Sequence, residues 1–312
     1  MNSRNRILSL NIGMKSDLAG LMSLISVHSL DLIMLQEVRM TDEQLNQQLA
    51  SHGFTGVVNI DAENPVTPGT ALAWRSTLPI KQVSAVVPCR VQHALLGSYS
   101  VLNIYAPSGS DKKVERGFFF AREVFQAFSL GSSSLILGGD FNCVLEPIDI
   151  ENGTGFNQKK CPQLSDLVAA KNLQDVFRNV NPRTKEFTFF RTNCAPSRLD
   201  RFYLSHGLLQ EVNLIQHVAS LSDHCGVLLE IRVKNVVFSK RKATSITYWK
   251  LNTRILKDED FLDNFAALWE LLKQKQNDFP DIADWWNEEA KPNIKDFHPK
   301  ETFGEKTARH FG

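Results

Sequence analysis

Asp140 and Asn142 stand two residues apart at the end of an apolar run, and extended backbone would aim both side chains to one side. A carboxylate and an amide so placed could hold a water and take its proton beside a phosphate. Alone, an Asp-x-Asn is more often an Asx turn closing a strand than a catalytic pair. Its company argues otherwise. Asn11 and Glu37 end two other apolar runs and supply oxygen ligands, and one or two carboxylates with waters is the usual setting for Mg²⁺. Tyr105, in Asn103-Ile104-Tyr105-Ala106-Pro107, puts a phenol at a strand end held by a proline. Asp200 sits in Ser197-Arg198-Leu199-Asp200-Arg201, and Ser222-Asp223-His224 precedes the last long apolar run. Singly, each has an ordinary explanation: an Asp-His pair is commonly a turn, and a strand-end Glu is commonly solvated. Their joint occurrence is harder to assign to chance.

The elements that position these residues follow from periodicity. Leu135-Ile136-Leu137, bounded by serines and glycines, reads as a strand covered on both faces, with Gly138 and Gly139 allowing close approach at its end. Arg6–Ile12 and Asp31–Glu37 read as strands around a helix carrying Leu18, Leu21, Met22 and Ile25, and Thr41 with Gln44 is a capping box for a second helix through Leu49. Strands are predicted at Phe54–Asn59, Gly69–Trp74, Ile80–Val87 and Gly97–Tyr105, then a helix with Val114, Phe118, Ala121, Phe125 and Phe128 on its apolar face. Beyond Asn142 come helices over Leu164–Ala170 and Gln174–Phe177 and strands at Phe187–Arg191, Leu199–Leu204, Leu214–Ala219 and Gly226–Val233. Two rounds of helix and strand, each with several consecutive strands, predict an α/β fold of two packed sheets flanked by helices.

The chain has 312 residues, 43% of them hydrophobic and 22% charged, enough for a sizeable core. Five scattered cysteines without a C-x-x-C argue against a disulfide framework or zinc site and for a reducing compartment. The apolar run at the N-terminus is too short for a secretion signal, and no run suits a membrane span. The expectation is a soluble intracellular protein, nuclear or cytoplasmic. The net charge of +1 hides a local bias: eight basic and no acidic residues lie between Arg232 and Lys257. A domain boundary is placed near residue 235, with residues 236–312 a basic linker and an amphipathic helical tail whose apolar residues are too few for a core of its own.

L-S-L-N (residues 8–11), L-Q-E (35–37), N-I-Y-A-P (103–107), G-G-D-F-N (138–142), R-L-D (198–200) and S-D-H-C (222–225) resemble the endonuclease/exonuclease/phosphatase superfamily. Within it they are most similar to exonuclease III-type apurinic endonucleases and to the endonuclease of LINE-type retrotransposons. The resemblance covers residues 6–233 and implies a four-layer α/β sandwich of two packed mixed β-sheets. It implies Glu37 as the main metal ligand with Asn11 close by, Asp140 as the base, and Asn142 and Tyr105 on the scissile phosphate. Asp223 would orient the metal or the water. His224 would donate to a phosphate oxygen with its ring fixed by Asp200, and Asp140, Asn142, Asp223 and His224 would complete the metal-side group. The implied reaction is in-line hydrolysis of a phosphodiester with Mg²⁺, or Mn²⁺ in its place, leaving 5′-phosphate and 3′-hydroxyl ends.

Three departures separate the chain from the repair enzymes it resembles. Gly13 stands where they carry Asp, Ser197 where they often carry Trp near the abasic site, and Arg201 where they tend to have Tyr. The Ser-Arg-Leu-Asp-Arg run and the tail, with Tyr248-Trp249-Lys250-Leu251-Asn252, Phe261 and Trp285-Trp286, resemble the LINE type, in which a reverse transcriptase follows. The expectation is a truncated or partial LINE-type reading frame encoding a target-nicking endonuclease. The alternatives are an apurinic endonuclease of base-excision repair and a catalytically dead binding module. Contacts to double-stranded DNA are expected from Lys112, Lys113, Arg116, Arg198 and the basic run after Arg232, giving affinity without sequence choice. For Lys240-Arg241-Lys242, a solvated linker and a DNA contact are equally good readings.

Overall fold

The computed structural model describes residues 3–61, 63–64, 67–130, 134–153, 155–233, 259–279 and 281–297. Twelve strands form there: β1 (Ser3–Asn11), β2 (Leu32–Val38), β3 (Phe54–Asn59), β4 (Gly69–Arg75), β5 (Ile80–Val87), β6 (Val91–Leu96), β7 (Tyr99–Tyr105), β8 (Leu135–Asp140), β9 (Leu173–Asp175), β10 (Asp200–Ser205), β11 (Val212–Val218) and β12 (Gly226–Val233). They make two six-stranded sheets, ordered β11-β12-β1-β2-β4-β3 and β5-β6-β7-β8-β10-β9. Each is mixed: β1 runs parallel to β2 and β7 parallel to β8, and the other neighbours are antiparallel.

Strand parity explains the layering. Ile7, Leu32, Met34, Ile136, Phe202 and Leu229 share one core between the sheets. Their strand neighbours Leu8, Ile33, Leu35 and Leu228 face outward onto the helices α1 (Ala19–His28) and α2 (Asp42–Leu49). On the other sheet, Leu102, Ile104, Leu135, Leu137 and Tyr203 pack against Phe119, Phe120, Val124 and Leu164. Both faces of the central strands are thus covered, which is why their sequences are largely apolar rather than alternating. The result is the expected four-layer sandwich.

Several local expectations are corrected. Val91–Leu96 is a strand of its own, turned into β7 at Gly97 and Ser98, where Gly97 has φ 61°; Gln92 and His93 mask its apolar character. Phe187–Arg191 is no strand but a loop with single bridges from Phe189 to Ser197 and to His224. Gln174 pairs with Leu204 in β9 rather than opening a helix, which starts only at Val176, where the Asp175 side chain accepts from Arg178 N at 3.1 Å. The helix Lys113–Phe118 runs on into a π-helical stretch, Phe119–Val124. It buries Phe119, Phe120, Val124 and Ala127 and leaves Val114, Phe118, Ala121 and Phe125 exposed, so of the expected apolar face only Phe128 faces the core. Three consecutive phenylalanines and a widened turn defeat a 3.6-residue count.

The chain divides into two compact units, Met1–Arg241 and Lys242–Gly312. The boundary expected near residue 235, the basic run beyond Val233 and Tyr248–Asn252 lie outside the described residues. In the second unit the helix Glu259–Gln274 and the segment Ile282–Phe297 enclose a small core of Leu272, Trp285 and Ala290, against the expectation of none. Trp285 Nε1 donates to Leu272 O at 3.0 Å, which satisfies the indole as it is buried. No helix among the described residues is long and apolar enough to cross a membrane.

Candidate active site

Parallel pairing of β7 with β8 sets Tyr105 opposite Asp140, and antiparallel pairing of β8 with β10 sets Asp140 opposite Asp200. In the other sheet, Asn11 is level with Gln36 beside Glu37. Strands of both sheets therefore end together at one rim. Glu37 occupies a β-bulge between Gln36 and Val38 and has φ 57°, a bend that re-aims its side chain at the rim. Gly139 is obligatory: it has φ 146°, and a Cβ there would lie 1.9 Å from Ile104 O. Gly138 has no room for a side chain either: a Cβ there would lie 2.5 Å from the ring of its cross-strand neighbour Phe202 and 3.1 Å from Met34 Sδ of the facing sheet.

Asp140 is 1% exposed and both its oxygens are hydrogen-bonded. Oδ1 accepts from Asn142 N at 2.9 Å; Oδ2 accepts from Asn11 Nδ2 at 3.0 Å and Asn142 Nδ2 at 3.1 Å. The contact to Asn142 N is an Asx turn, so the commonplace reading of Asp-x-Asn and the chemical one describe the same atoms. Asn142 turns through φ 49° and also donates to Ala106 O at 2.9 Å. Burial, then the neighbouring Asp200, pushes the Asp140 carboxyl up to about 6.

Asp200, fully buried, accepts from His224 Nδ1 at 2.8 Å, and His224 Nε2 lies 4.0 Å from Asp140 Oδ2. Burial works against charge on this imidazole, but Asp200 and Asp140 outweigh it and lift His224 to about 10. It is a proton donor at neutral pH. Thr188 Oγ1 accepts from the amides of Leu199 and Asp200, both at 3.0 Å, fixing the turn into β10. The Tyr105 hydroxyl donates to Glu37 Oε1 at 3.2 Å, and Arg90 lies 4.7 Å over its ring. Burial, with Glu37 and Asp140 nearby, raises the phenol well above its ordinary value, so it too keeps its proton.

A cavity of about 630 Å³ opens over the rim, lined by Glu37, Tyr105, Asn142, Asp223 and His224 together with Lys159, Phe189 and Arg191. Ligand atoms of Asp140, Asp200 and His224 lie within 4.8 Å of one another, but the hydrogen bond between His224 and Asp200 makes them a proton relay before a metal cage. Glu37 fits a cation better. It is half-buried, lines the cavity and has no cationic partner among the described residues. With Asp140, Asp200 and Asp223 around one imidazolium, the rim carries an excess of negative charge on hard oxygen donors, which suits Mg²⁺ or Mn²⁺. The Asn11 amide is committed at both ends, to Asp140 and, at 2.9 Å, to Gly13 N, so its visible work is to orient Asp140.

Two expected DNA contacts are corrected. Arg198 is 1% exposed and bridges Asp149 at 2.8 Å and Asp175 at 2.7 Å, out of reach of any duplex. Arg116 is also buried; its Nη1 donates to the carbonyls of Pro107 and Gly109 and braces that loop. Lys112 and Lys113 are exposed. Burial opposes the Asp149 charge, but Arg201 and Arg198 outweigh it and hold its carboxyl far below the usual range. That stabilisation is complete above about pH 4 and lost as pH falls further. Arg198→Met takes the nearest guanidinium from Asp175 and one of three from Asp149, which keeps Arg178 at 2.6 Å, and costs about 3 kcal/mol. Thermal melting should register it as a Tm lower by about 10 °C, while the salt dependence of DNA binding stays that of wild type.

Sequence reasoning missed a polar tie beneath the site. Asn103 Nδ2 donates to Leu35 O and Ala71 O, both at 3.0 Å, and Gln36 Nε2 donates to Asn103 Oδ1 at 2.8 Å. It joins the sheets next to Glu37 and Tyr105. The signal that could have found it was an amide two residues before Tyr105 in an otherwise apolar strand. Lys159, Phe189 and Arg191 were missed because nothing in their local sequence marks a cavity wall.

The shared geometry has counterparts elsewhere. An apurinic endonuclease from Archaeoglobus fulgidus superposes with TM-score 0.64 at 16% identity, over 73% of this chain and 100% of that one. A 3′ phosphatase from Neisseria, bound to product DNA hairpin, gives 0.62 at 18%, over 73% and 100%. A 149 kDa protein of transposon TX1 from Xenopus laevis is 29% identical over 216 residues, 67% of this chain but 16% of that protein's length. With the family's pattern matched from residue 8 to 224, the chain belongs to the Endonuclease/Exonuclease/phosphatase family.

Proposed function

We propose that the protein is a divalent-metal-dependent endonuclease that nicks duplex DNA, leaving 3′-hydroxyl and 5′-phosphate ends, and that it serves the target-nicking step of a LINE-type element. The observation that carries the chemistry is the Asp140–His224–Asp200 relay beside Glu37, Tyr105 and Asn142 at one cavity. Asp140 takes the proton of the attacking water; Asn11 and Asn142 hold its carboxylate in place. Protonated His224 donates to an oxygen of the phosphate as charge builds there, joined by Tyr105 when its hydroxyl turns from Glu37; both side-chain N–H groups of Asn142 are given to Asp140 and Ala106 O, so Asn142 positions the base. Glu37, with Asp140 and Asp223, would hold Mg²⁺, which offsets charge on the phosphate and the leaving oxygen.

Identity with a transposon protein supports the LINE role over repair. So does Ser197: it is fully buried, with its hydroxyl engaged by Lys159 and Ala195 O, and presents no aromatic surface to an abasic site. Likeness to apurinic endonucleases favours the second reading, incision at abasic sites. Nicking of supercoiled plasmid with Mg²⁺, set against an abasic duplex, tests both. The expected result is open-circular product dependent on added Mg²⁺, with comparable rates on intact and abasic DNA. A strong abasic preference selects the repair reading, and inert plasmid and duplex sink both.

A further inference from the structure

Lys159 ends the short helix Phe156–Lys159 and lines the same cavity as Glu37 and His224. Its ammonium donates to Ser197 Oγ at 2.8 Å and sits 5.5 Å over the Phe189 ring. Among the described residues no carboxylate lies within ion-pair distance of it. A half-buried ammonium with a hydroxyl and an aromatic face for neighbours has surrendered water without gaining counter-charge. Burial accordingly pushes Lys159 below its ordinary value. Ser197 Oγ spends its own proton on Ala195 O at 2.8 Å, so the Lys159–Ser197 contact points the lysine and supplies no charge. Phe189 is itself anchored, its ring 4.9 Å from that of His224 and its amide bonded to Ser197 O at 2.8 Å.

We propose that Lys159 is a phosphate-binding residue of the cavity wall, holding a phosphodiester of the bound strand next to the one being cut. The assignment rests on the nuclease reading above. A phosphate supplies what the site lacks, a single negative charge with oxygens that accept from an ammonium already aimed by Ser197 and Phe189. It also sets a cation in the wall of a cavity whose reacting end is dominated by carboxylates. The strand is then drawn in by Lys159 while Asp140 and Glu37 stay free for the reaction.

The test measures duplex binding as a function of salt, and nicking, for wild type, Lys159→Gln, Lys159→Arg and Ser197→Ala. Losing one phosphate contact should flatten the slope of log K against log[salt] by about one. Lys159→Gln is expected to show that, to bind about tenfold more weakly at ~0.15 M salt, and to lose activity mainly through KM. Lys159→Arg should keep the wild-type slope, as should Ser197→Ala, which removes the staple and leaves the charge. A wild-type slope in Lys159→Gln, or an equal flattening in Ser197→Ala, overturns the assignment. If wild type nicks DNA in either of those cases, the nuclease reading survives alone; if wild type neither binds nor nicks, both fall together.

Discussion

Asp140→Ala should reduce nicking by about 10³-fold or more while duplex affinity stays within a few-fold of wild type. The buried carboxylate has a pKa just below neutrality, at about 6, so it is ionised at pH 7 yet basic enough to accept a proton. Its three donors, Asn142 N, Asn142 Nδ2 and Asn11 Nδ2, exist to hold those two oxygens, and none of them can take a proton in its place. Affinity survives because Asp140 is 1% exposed and a neutral residue there removes negative charge facing the phosphates. Single-turnover nicking and anisotropy binding on one preparation separate the two quantities. Turnover near the wild-type rate would remove Asp140 from the mechanism.

Asp200→Asn should cost about 10²-fold in kcat and move the alkaline limb of the pH–rate profile to lower pH. The raised value of His224, about 10, is sustained by Asp200 first and Asp140 second against the cost of burial. With His224 as the proposed donor, activity should be present below that value and disappear as pH rises through it. Removing the Asp200 charge leaves burial less opposed, and the proton is lost earlier in the rise. The same shift bears on stability. A folded-state value of about 10, above the unfolded one of about 6.5, contributes stability that is complete below the lower pH and lost as pH rises through the higher. With Asp140 as the proposed base, the acid limb should rise as that group deprotonates. A bound cation beside it moves this limb further to the acid side. An alkaline limb unmoved in Asp200→Asn would show that His224 does not supply the proton.

Much of the candidate site was legible in the sequence because its residues stand at or next to the ends of apolar runs. A strand buried on both faces must change character where it meets solvent, and Asn11, Glu37, Tyr105, Asp140 and Asp200 all mark such changes. What a run of residue types cannot carry is the difference between an arginine at a rim and one in the interior. Arg198 and Arg201 look like a basic patch on the chain, yet each has carboxylates from other elements closing over it. The Phe118-Phe119-Phe120 run failed for a related reason, since packing against the sheet and not periodicity chose which ring to bury.

By itself the sequence determined the two-sheet architecture, because strand parity and strand ends are local properties, and it supplied the motifs whose resemblance to a family implied the pairing of Asp200 with His224. Only the tertiary structure decided that Asp140 and Asp200 would be level across β8 and β10, since register depends on two segments far apart in the chain. It also decided that Glu37 would turn out of its strand at a bulge, and that Lys159 would face the cavity without a counter-charge among the described residues. Charge compensation is a property of neighbours in space, and the folded chain alone specifies those.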